Sequence, residues 1–550
     1  MKRNLPALIV FLSLLIISCQ SEPTNLNRVI IGIDEDVQSF NPMFSFSVNE
    51  GRISELLYLS LVKHSWDNKI SDLRTEFMLA ENIIWSEDSS SITINLRRNV
   101  SWSDGKPVTS EDVVFSFDAY SHPKVNSKFF GLFDNFILDS DNHIDISKSF
   151  EIMSENKIII HFKNNSIPSY FDIDMPIIPK HMFEGIDYSD FETADINSNP
   201  VTNGPYKLTR WNKNSLIELT LNRNSFLAAD NSIDKILFKI IPDYNSQLIQ
   251  LENEEIDFID KVKPDDAHKL NETDKNIIIK SVVGREYDYV GWSNIDIEKF
   301  EQKKIEPNIF FGNINVRKAL THAINRNEIL NEFLYGYGSL ASTPVAPIFE
   351  NAIKKSIEPY QYNPELAKLI LAEEGWTDTD FNGIIEKDNV EFKFDLFIPA
   401  GNPRRDFAAT VIKNNLKAVG IDVSIKSLEL GQFIDNLYDR KMNAWMAAWY
   451  IPIPIELSVY WHSNFEQAPL NFQSYQNENV DRIITEFNNE SDEQNKINLL
   501  KEFQKIIHNE EPVTFLYWVD NIVAYNSRIK NIDVNPLGAI HACWDWSLVK

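Results

Sequence analysis

The feature that most constrains the fold is a strand-helix-strand pattern in the second half of the chain. Apolar side chains alternate with polar ones over 392–398 and again over 421–425, which predicts two strands. Residues 406–419 carry apolar side chains at helical spacing, and Asp406 and Gly420 are suited to cap that helix. A helix between two strands of one sheet implies a right-handed crossover and parallel pairing. The sequence therefore predicts an α/β fold.

Neighbouring segments continue this alternation of helices and strands. Asn363-Pro364 is an N-cap followed by proline at the first helical position, and it predicts a helix that ends at Gly375. A helix over 432–440 and a buried strand over 443–449 follow. The N-terminal half is less regular, with strands predicted at 92–100, 157–164 and 216–222 and a capping box at Thr109 and Asp112.

The first nineteen residues carry the pattern of an export signal. Two basic residues precede an apolar run over 5–17, which is shorter than the roughly 20 residues that a membrane-spanning helix needs. A small residue directly before Cys19 resembles the lipobox of bacterial lipoproteins, in which this cysteine is acylated. We therefore predict a signal peptide over 1–18, lipidation at Cys19 and a flexible tether over 19–27. The alternative is an unmodified cysteine near an ordinary cleavage site.

Charge and cysteine content exclude several classes of protein. The formal net charge of -27 repels phosphate backbones, so nucleic-acid binding is a poor hypothesis. Only Cys19 and Cys543 are present, and lipidation of the first leaves no intrachain disulfide. His541, Cys543 and Asp545 stand close together near the C-terminus, but two or three ligands without a second cluster do not make a closed metal site. No metal site and no cofactor are expected.

No motif of a known catalytic centre is present. The sequence contains no G-x-S-x-G, H-E-x-x-H, Walker loop or G-x-G-x-x-G after a strand. A pair of catalytic carboxylates leaves no local signature, so a secreted hydrolase remains an alternative. The protein is predicted not to be an enzyme.

Aromatic residues concentrate in one segment of the chain. Such side chains, with polar groups at their tips, commonly line ligand clefts, although each taken singly is more often a core residue. The members of this segment are Trp445, Trp449, Tyr450, Tyr460 and Trp461.

Several segments in order resemble the family 5 extracellular solute-binding proteins, the lipoprotein or periplasmic receptors of oligopeptide, dipeptide and nickel ABC importers. SDGKPVTSEDVVFSF within 85–117 and NGPYKL within 200–211 are the most specific. The matching segments are FNPMFS at 40–45, LLYLSLVKH at 56–64, WSEDSSSITINLRRNVSWSDGKPVTSEDVVFSF at 85–117, PVTNGPYKLTRW at 200–211, IDKILFKIIPD at 233–243, EEIDF at 254–258, NVRKALTHAINRNEIL at 315–330, YNPELAKLILAEEGW at 362–376, LKAVGIDV at 416–423, YWHSN at 460–464 and NVDRIITE at 479–486.

This resemblance implies a two-lobed, periplasmic-binding-protein-like α/β fold of the class II type, with an accessory domain on the first lobe. Ligand is then held in the cleft between lobes that close about a hinge. Candidate hinges are the crossing strands near 280–290 and 511–516. The implied boundaries are 28–65, 198–285 and 512–550 for lobe I, 66–197 for the accessory domain and 286–511 for lobe II.

The resemblance also implies a binding site, with one departure from the family pattern. Peptide-binding members commonly carry an Asp shortly after a G-W pair, and this Asp pairs with the α-amino group of the peptide. The matching stretch here, 448–456, contains no Asp, and Glu456 is the candidate substitute. An ammonium buried without a counter-ion is costly. The candidate ligand-binding residues are Trp449, Tyr450, Glu456, Trp461 and Asn294.

The function implied is that of a lipid-anchored, extracytoplasmic receptor in the bacterial cell envelope. It is expected to be a monomer that captures peptides and delivers them to an ABC permease and its ATPase. Other cargo, such as a nickel chelate or an oligosaccharide, is an alternative within the same class. A secreted hydrolase and a sensory lipoprotein on the same fold are alternatives from other classes.

Overall fold

The computed structural model describes residues 27–549. The predicted signal peptide and the predicted lipidation site at Cys19 lie outside these residues, as does all but the last residue of the predicted tether. The strands are β1 Arg28–Ile33, β2 Val62–Asp67, β3 Asp72–Phe77, β4 Ala80–Trp85, β5 Ser91–Leu96, β6 Phe150–Ser154, β7 Lys157–His161, β8 Tyr206–Asn212, β9 Leu216–Leu221, β10 Lys235–Ile240, β11 Phe258–Ile259, β12 Ile277–Trp292, β13 Gly338–Leu340, β14 Glu386–Lys387, β15 Val390–Glu391, β16 Lys393–Pro399, β17 Asp422–Leu428, β18 Ala444–Tyr450, β19 Val513–Asn526, β20 Ile529–Lys530 and β21 Ser547–Leu548.

The α-helices are distributed around the strands. They are α1 Val48–Leu57, α2 Ser110–Ser121, α3 Ile146–Ser149, α4 Tyr244–Glu252, α5 Pro264–Thr273, α6 Ile297–Glu301, α7 Ile314–Ala323, α8 Arg326–Glu332, α9 Pro364–Glu373, α10 Pro403–Lys417, α11 Leu430–Tyr438, α12 Ser458–Trp461, α13 Glu478–Asn489 and α14 Glu493–Glu510. Among the described residues, no helix combines the length and the apolar character that crossing a bilayer requires.

One mixed sheet of eleven strands runs through the molecule in the order β17-β16-β18-β12-β19-β11-β1-β10-β9-β8, with β13 beside β19. We call the side built on β1 and β8–β11 lobe I, and the side built on β16–β18 lobe II. Separate clusters of buried apolar side chains underlie the two sides. The arrangement is the predicted two-lobed α/β fold.

The predicted strand-helix-strand unit is confirmed. β16 and β17 pair in parallel over their full length, and α10 connects them. The helix begins four residues earlier than predicted. The side chain of Asn402, not Asp406, caps it by accepting the N–H of Arg405, and Pro403 occupies the first turn. Asp406 therefore lies in the first turn, where a negative charge also favours the helix dipole.

Two long strands, β12 and β19, connect the lobes. They pair antiparallel along most of their length, with irregularities in register between Val283 and Glu286 and between Asp288 and Tyr289. β12 pairs with β18 from Glu286 onward, and the far end of β19 pairs with β11 of lobe I. The first irregularity thus lies where the strands pass from one lobe to the other. The hinge predicted near 280–290 falls on this position, and its role stays a prediction.

A smaller antiparallel sheet, in the order β4-β5-β7-β6, lies within the predicted accessory region. α2 packs beside it and begins as predicted, since Asp112 Oδ2 accepts the N–H of Thr109 at 2.8 Å. The buried apolar residues of the small sheet and of α2 form one continuous cluster with those of lobe I. The region is therefore joined to lobe I by a shared core, while its exact boundaries stay a prediction.

The hairpin of β2 and β3 contacts lobe II. Trp66 is buried in a lobe II cluster, with its ring 5.9 Å from that of Phe349. At the tip of the hairpin, Asn351 Nδ2 donates to the carbonyl of Ile70 at 2.9 Å. The hairpin thus connects the first lobe to the second at a place distant in sequence from the two crossing strands.

Candidate ligand-binding site

The end of β18 presents an open strand edge. β18 pairs in parallel with β16 only at Ala444 and Trp445, whereas its pairing with β12 continues to Tyr450. A longer parallel ladder would place Pro399 opposite Ala447, and proline has no N–H to continue it. In the described part of the chain, no strand pairs with 446–450 on the side away from β12.

The direction of the peptide groups on this edge follows from the register. Ile451 N donates to the carbonyl of Arg285 at 2.9 Å, which makes these two residues a hydrogen-bonded pair of the antiparallel ladder. Such pairs alternate with non-hydrogen-bonded ones along the strands. Ala448 and Tyr450 therefore direct their N–H and C=O groups away from β12, toward the open side. An extended chain could add there as a further strand.

Aromatic side chains gather around Trp449 beside this edge. Its ring lies parallel to those of Tyr289 and Phe472, at centroid distances of 6.4 and 5.6 Å. Tyr460 contacts it edge to face at 4.8 Å. Trp449 itself is partly exposed, so one end of a closely packed aromatic group faces the solvent. Such a surface suits an apolar ligand side chain.

Tyr450 is the more exposed neighbour, with 53% of its surface accessible. Its hydroxyl accepts a hydrogen bond from Arg285 Nη2 at 2.7 Å, and the guanidinium lies 4.4 Å from its ring centroid. Arg285 also donates to the carbonyl of Ile451 at 2.9 Å. These contacts hold the tyrosine ring in place at the point where the two crossing strands change lobes.

Glu456 lies in the loop after β18, close to the same aromatic group. One of its carboxylate oxygens accepts the N–H of Ser458 at the start of α12. Burial raises the pKa of Tyr460, and the charge of Glu456 adds to this rise, which places the carboxylate near the tyrosine. No hydrogen bond to the other carboxylate oxygen occurs within residues 27–549. Glu456 thus offers a partly exposed negative charge next to Trp449 and Tyr460.

The structure places two predicted binding residues elsewhere. Trp461 is 4% exposed and packs against Phe503 and Phe515 in the core of lobe II. Asn294 Nδ2 donates to the carbonyls of Trp292 and Pro512, and so connects the end of β12 to the chain just before β19. Neither belongs to the surface around Trp449, so we omit both from the proposed site.

A buried ionic cluster beside the open edge was not expected from the sequence. Asp288 is fully buried and accepts hydrogen bonds from Arg404 Nε at 2.8 Å and from the hydroxyl of Tyr517 at 3.0 Å. Arg405 lies 3.3 Å from the same carboxylate. Burial alone would lower the pKa of Arg404, but the charges of Asp288 and Glu286 outweigh it and raise that pKa. A lone aspartate within the apolar stretch 287–292 is the signal that could have indicated this cluster.

The C-terminal residues considered as metal ligands do not form a site. His541, Cys543 and Asp545 do not bring their ligand atoms within 4.8 Å of one another in the described part of the chain. Cys543 is fully buried, and burial raises the pKa of its thiol. Burial also lowers the pKa of His541 to about 4. His541 and Cys543 are therefore buried in lobe I, whereas Asp545 is exposed.

A cavity of about 390 Å³ lies elsewhere, on lobe II. Its lining residues are Lys354, Ser356, Ile357, Lys505, His508 and Asn509. None of the predicted binding residues lines it, and it has no open strand edge. The surface around Trp449 is therefore the better candidate for the binding site of an extended ligand.

Comparison with known proteins identifies the family. The model of the bacterial extracellular solute-binding proteins, family 5, matches residues 75–469. The oligopeptide-binding protein AppA of Bacillus subtilis is 26% identical over 544 residues, which cover 96% of this chain and 93% of that protein. The nickel-binding protein NikA of Staphylococcus aureus is 26% identical over 353 residues, covering 63% of this chain and 65% of that protein.

The fold of a solved relative agrees with this assignment. The structure of Bacillus subtilis AppA in complex with a nonapeptide superposes with a TM-score of 0.68, covering 95% of this chain and 99% of that chain at 26% identity. The match of the family model extends over most of the chain and includes elements of both lobes. The chain therefore belongs to the bacterial extracellular solute-binding proteins of family 5, which are binding proteins that act outside the cytoplasm.

Proposed function

We propose that the protein is the receptor of an ABC importer and captures an extended peptide in the cleft between its lobes. The observation that carries this proposal is the open edge of β18, where Ala448 and Tyr450 direct N–H and C=O groups away from β12, to the side on which no described strand pairs. Main-chain hydrogen bonds recognise any peptide sequence, and the aromatic group at Trp449 supplies a surface for one of its side chains. Similarity to proteins named for oligopeptide binding supports the same ligand class.

The remaining parts of the proposal concern location and partners. A lipid on Cys19 would hold the receptor at the outer side of a membrane, where a tether over 19–27 leaves the two lobes free to reach a permease. The closed, liganded receptor then passes its cargo to the permease, and the ATPase acts on the other side of the membrane. The receptor binds as a monomer and releases its ligand chemically unchanged.

Replacing Ala448 with proline tests the strand-addition mode. The substitution removes an N–H on the open side of β18 and leaves the bonds to β12 intact, because Ala448 and Asp288 form a non-hydrogen-bonded pair. A ligand carbonyl left without its donor costs about 1–3 kcal/mol. We expect about 5- to 150-fold weaker binding of a synthetic peptide, measured by calorimetry. Its sequence is taken from the peptides that co-purify with the wild type and are identified by mass spectrometry.

The matched control is Ala448→Gly, which keeps the N–H and should bind within threefold of the wild type. The melting temperature of each ligand-free variant verifies that the fold is preserved. Equal peptide affinity of the proline variant would overturn the strand-addition mode. Co-purification of non-peptide solutes alone, with no thermal shift by any peptide pool, would overturn the ligand class.

Glu456 provides a second test, because its carboxylate is the candidate partner of the peptide amino group. With Glu456→Gln, affinity for a peptide with a free N-terminus should fall at least tenfold, since a charged hydrogen bond is replaced by a neutral one. Affinity for the same peptide with an acetylated N-terminus should stay unchanged. Calorimetry on the two peptides separates these effects, and an equal loss for both peptides, or no loss, would remove this role from Glu456.

A further inference from the structure

Outside the cleft, a loop of lobe II brings three carboxylates together. Asp378, Asp380 and Glu386 each place an oxygen within 4.8 Å of the other two. Among residues 27–549 this is the one place where three groups able to hold a metal ion converge so closely. The loop follows α9 and leads into the short hairpin of β14 and β15.

The spacing of these residues is that of a calcium-binding loop. From Asp378 the sequence is D-T-D-F-N-G-I-I-E. In such loops the side chains at positions 1, 3, 5 and 9 and the backbone carbonyl at position 7 supply oxygens, and glycine at position 6 makes the turn. Gly383 occupies position 6 with a φ of 89°, a left-handed conformation that favours glycine. The ligand positions fall on Asp378, Asp380, Asn382, Ile384 and Glu386.

Glu386 supplies an observation that is independent of the spacing. Its Oε1 accepts hydrogen bonds from the N–H of Thr379 at 2.7 Å and from the threonine hydroxyl. Its Oε2 is buried, with less than 1 Å² exposed, and has no hydrogen-bond partner. A buried carboxylate oxygen without a partner is unfavourable, and a cation beside it would remove that penalty.

The loop is held in place at both ends. Trp376, just before it, is 2% exposed in the core of lobe II. Thr377 and Glu386 exchange two backbone hydrogen bonds, at 3.1 and 3.0 Å, which close the loop. The N–H of Ile385 donates to the carbonyl of Gly420 at 2.8 Å, next to α10. The carboxylates are therefore positioned by the surrounding fold.

The nearby lysines do not form ion pairs with these three carboxylates in the described structure. The charge of Asp380 contributes to a raised pKa of Lys393, but Lys393 forms its ion pair with Glu391, at a distance of 2.9 Å. Lys387 donates to the carbonyl of Glu374 at 2.8 Å. The loop thus retains an excess of negative charge that a divalent cation would balance.

We propose that this loop binds one calcium ion, which ties the α9 end of lobe II to the start of β16. All five positions offer oxygen, the donor that calcium prefers. Because Ca–O distances are about 2.3–2.6 Å, two oxygens on one ion lie up to about 5 Å apart, and the observed cluster fits this limit. Position 12 is Asn389 in place of the bidentate glutamate. Binding is therefore in the weak, extracellular range, with a Kd of about 0.1–1 mM.

Calcium binding to the chelator-treated protein tests the proposal. Titration with calcium chloride in a calorimeter should show a single site, and 5 mM calcium should raise the melting temperature by about 1–2 °C because the ion binds the folded state alone. Magnesium should bind more weakly, because it demands a tighter octahedral shell. Terbium, which occupies calcium sites, should luminesce on excitation of Trp376 and be displaced by calcium.

The decisive comparison uses two variants with altered charge. In Asp378→Asn with Asp380→Asn, calcium affinity should fall at least tenfold, the thermal shift should disappear, and the melting temperature in chelator should not decrease. The control is Asp388→Asn, in the same hairpin but outside the ligand set, at a φ of 52° that asparagine adopts readily. It should bind calcium like the wild type. Absence of calcium binding by the wild type, or equal loss in both variants, would overturn the proposal.

Discussion

Replacing Gly284 with alanine is expected to destabilise the protein by about 3 kcal/mol, because a Cβ there overlaps fixed backbone. That Cβ would lie 2.2 Å from the carbonyl oxygen of Val519 on the neighbouring crossing strand. The glycine stands at the irregular register between Val283 and Glu286, so neither strand can shift without disturbing the join between the lobes. We expect a melting temperature several degrees lower, measured by calorimetry on ligand-free protein.

Gly51 provides the matched control. It lies inside α1, where an added Cβ meets no atom within 4 Å. Alanine there should be neutral or stabilising by up to about 1 kcal/mol, since glycine is the poorer helix former. If Gly284→Ala unfolds at the wild-type temperature, close packing of the crossing strands does not account for this glycine.

The second large effect concerns Glu511, at the junction of α14 and β19. It is 1% exposed, its Oε1 accepts the hydroxyl of Thr321 at 3.0 Å, and its Oε2 has no hydrogen-bond partner. Burial raises its pKa to about 8, against an unfolded value near 4.5, although the charges of Arg326 and Arg317 oppose this shift. The folded state therefore holds a proton that the unfolded state has released in this range of pH.

The sign of the pH dependence follows from this difference. The contribution of Glu511 to stability is fully present below pH 4.5 and is lost as the pH rises toward 8, by at most about 1.4 kcal/mol per pH unit. Glu511→Gln keeps a neutral side chain of the same shape and should lose this dependence. We expect the variant to gain stability relative to the wild type as the pH rises from 5 to 8, measured by denaturant unfolding.

Replacing an exposed glutamate should leave the change in stability between pH 5 and 8 the same as in the wild type. Glu478, in the first turn of α13, is exposed, and Glu478→Gln serves as the control. Equal pH dependence of the wild type and Glu511→Gln would show that the carboxylate of Glu511 is ionised in the folded protein at all of these pH values.

Local sequence patterns were sufficient to predict the helices and strands, but not which residues form the candidate ligand-binding site. β16, α10 and β17 follow from periodicity and from residues within a few positions of each end. The boundary of α10 was misplaced because two candidate caps, Asn402 and Asp406, stand one turn apart. The α/β class followed from this strand-helix-strand unit, whereas the two-lobed architecture followed from family motifs such as SDGKPVTSEDVVFSF, which contain a turn and a helix cap.

Burial of single aromatic residues could not be deduced in the same way. Trp449 and Trp461 have similar sequence surroundings, yet Trp449 is partly exposed near the end of β18 and Trp461 lies in the core against Phe503. The cluster around Asp288 depends on partners more than 100 residues away, Arg404 and Tyr517. The spacing of neighbouring residues in the sequence does not indicate contacts between residues so far apart in the chain. The loop at Asp378, by contrast, has a local spacing of acidic residues and glycine that the sequence alone displays.

The hairpin of β2 and β3 has a consequence for motion. Rotation of the lobes about the two crossing strands would separate Trp66 from Phe349 and Asn351 from the carbonyl of Ile70, unless the hairpin swings with lobe II. A third attachment placed away from the axis limits both the amplitude and the direction of the swing. In the proposed hinge motion, release of cargo would therefore require local undocking of the hairpin from lobe II in addition to bending of the crossing strands.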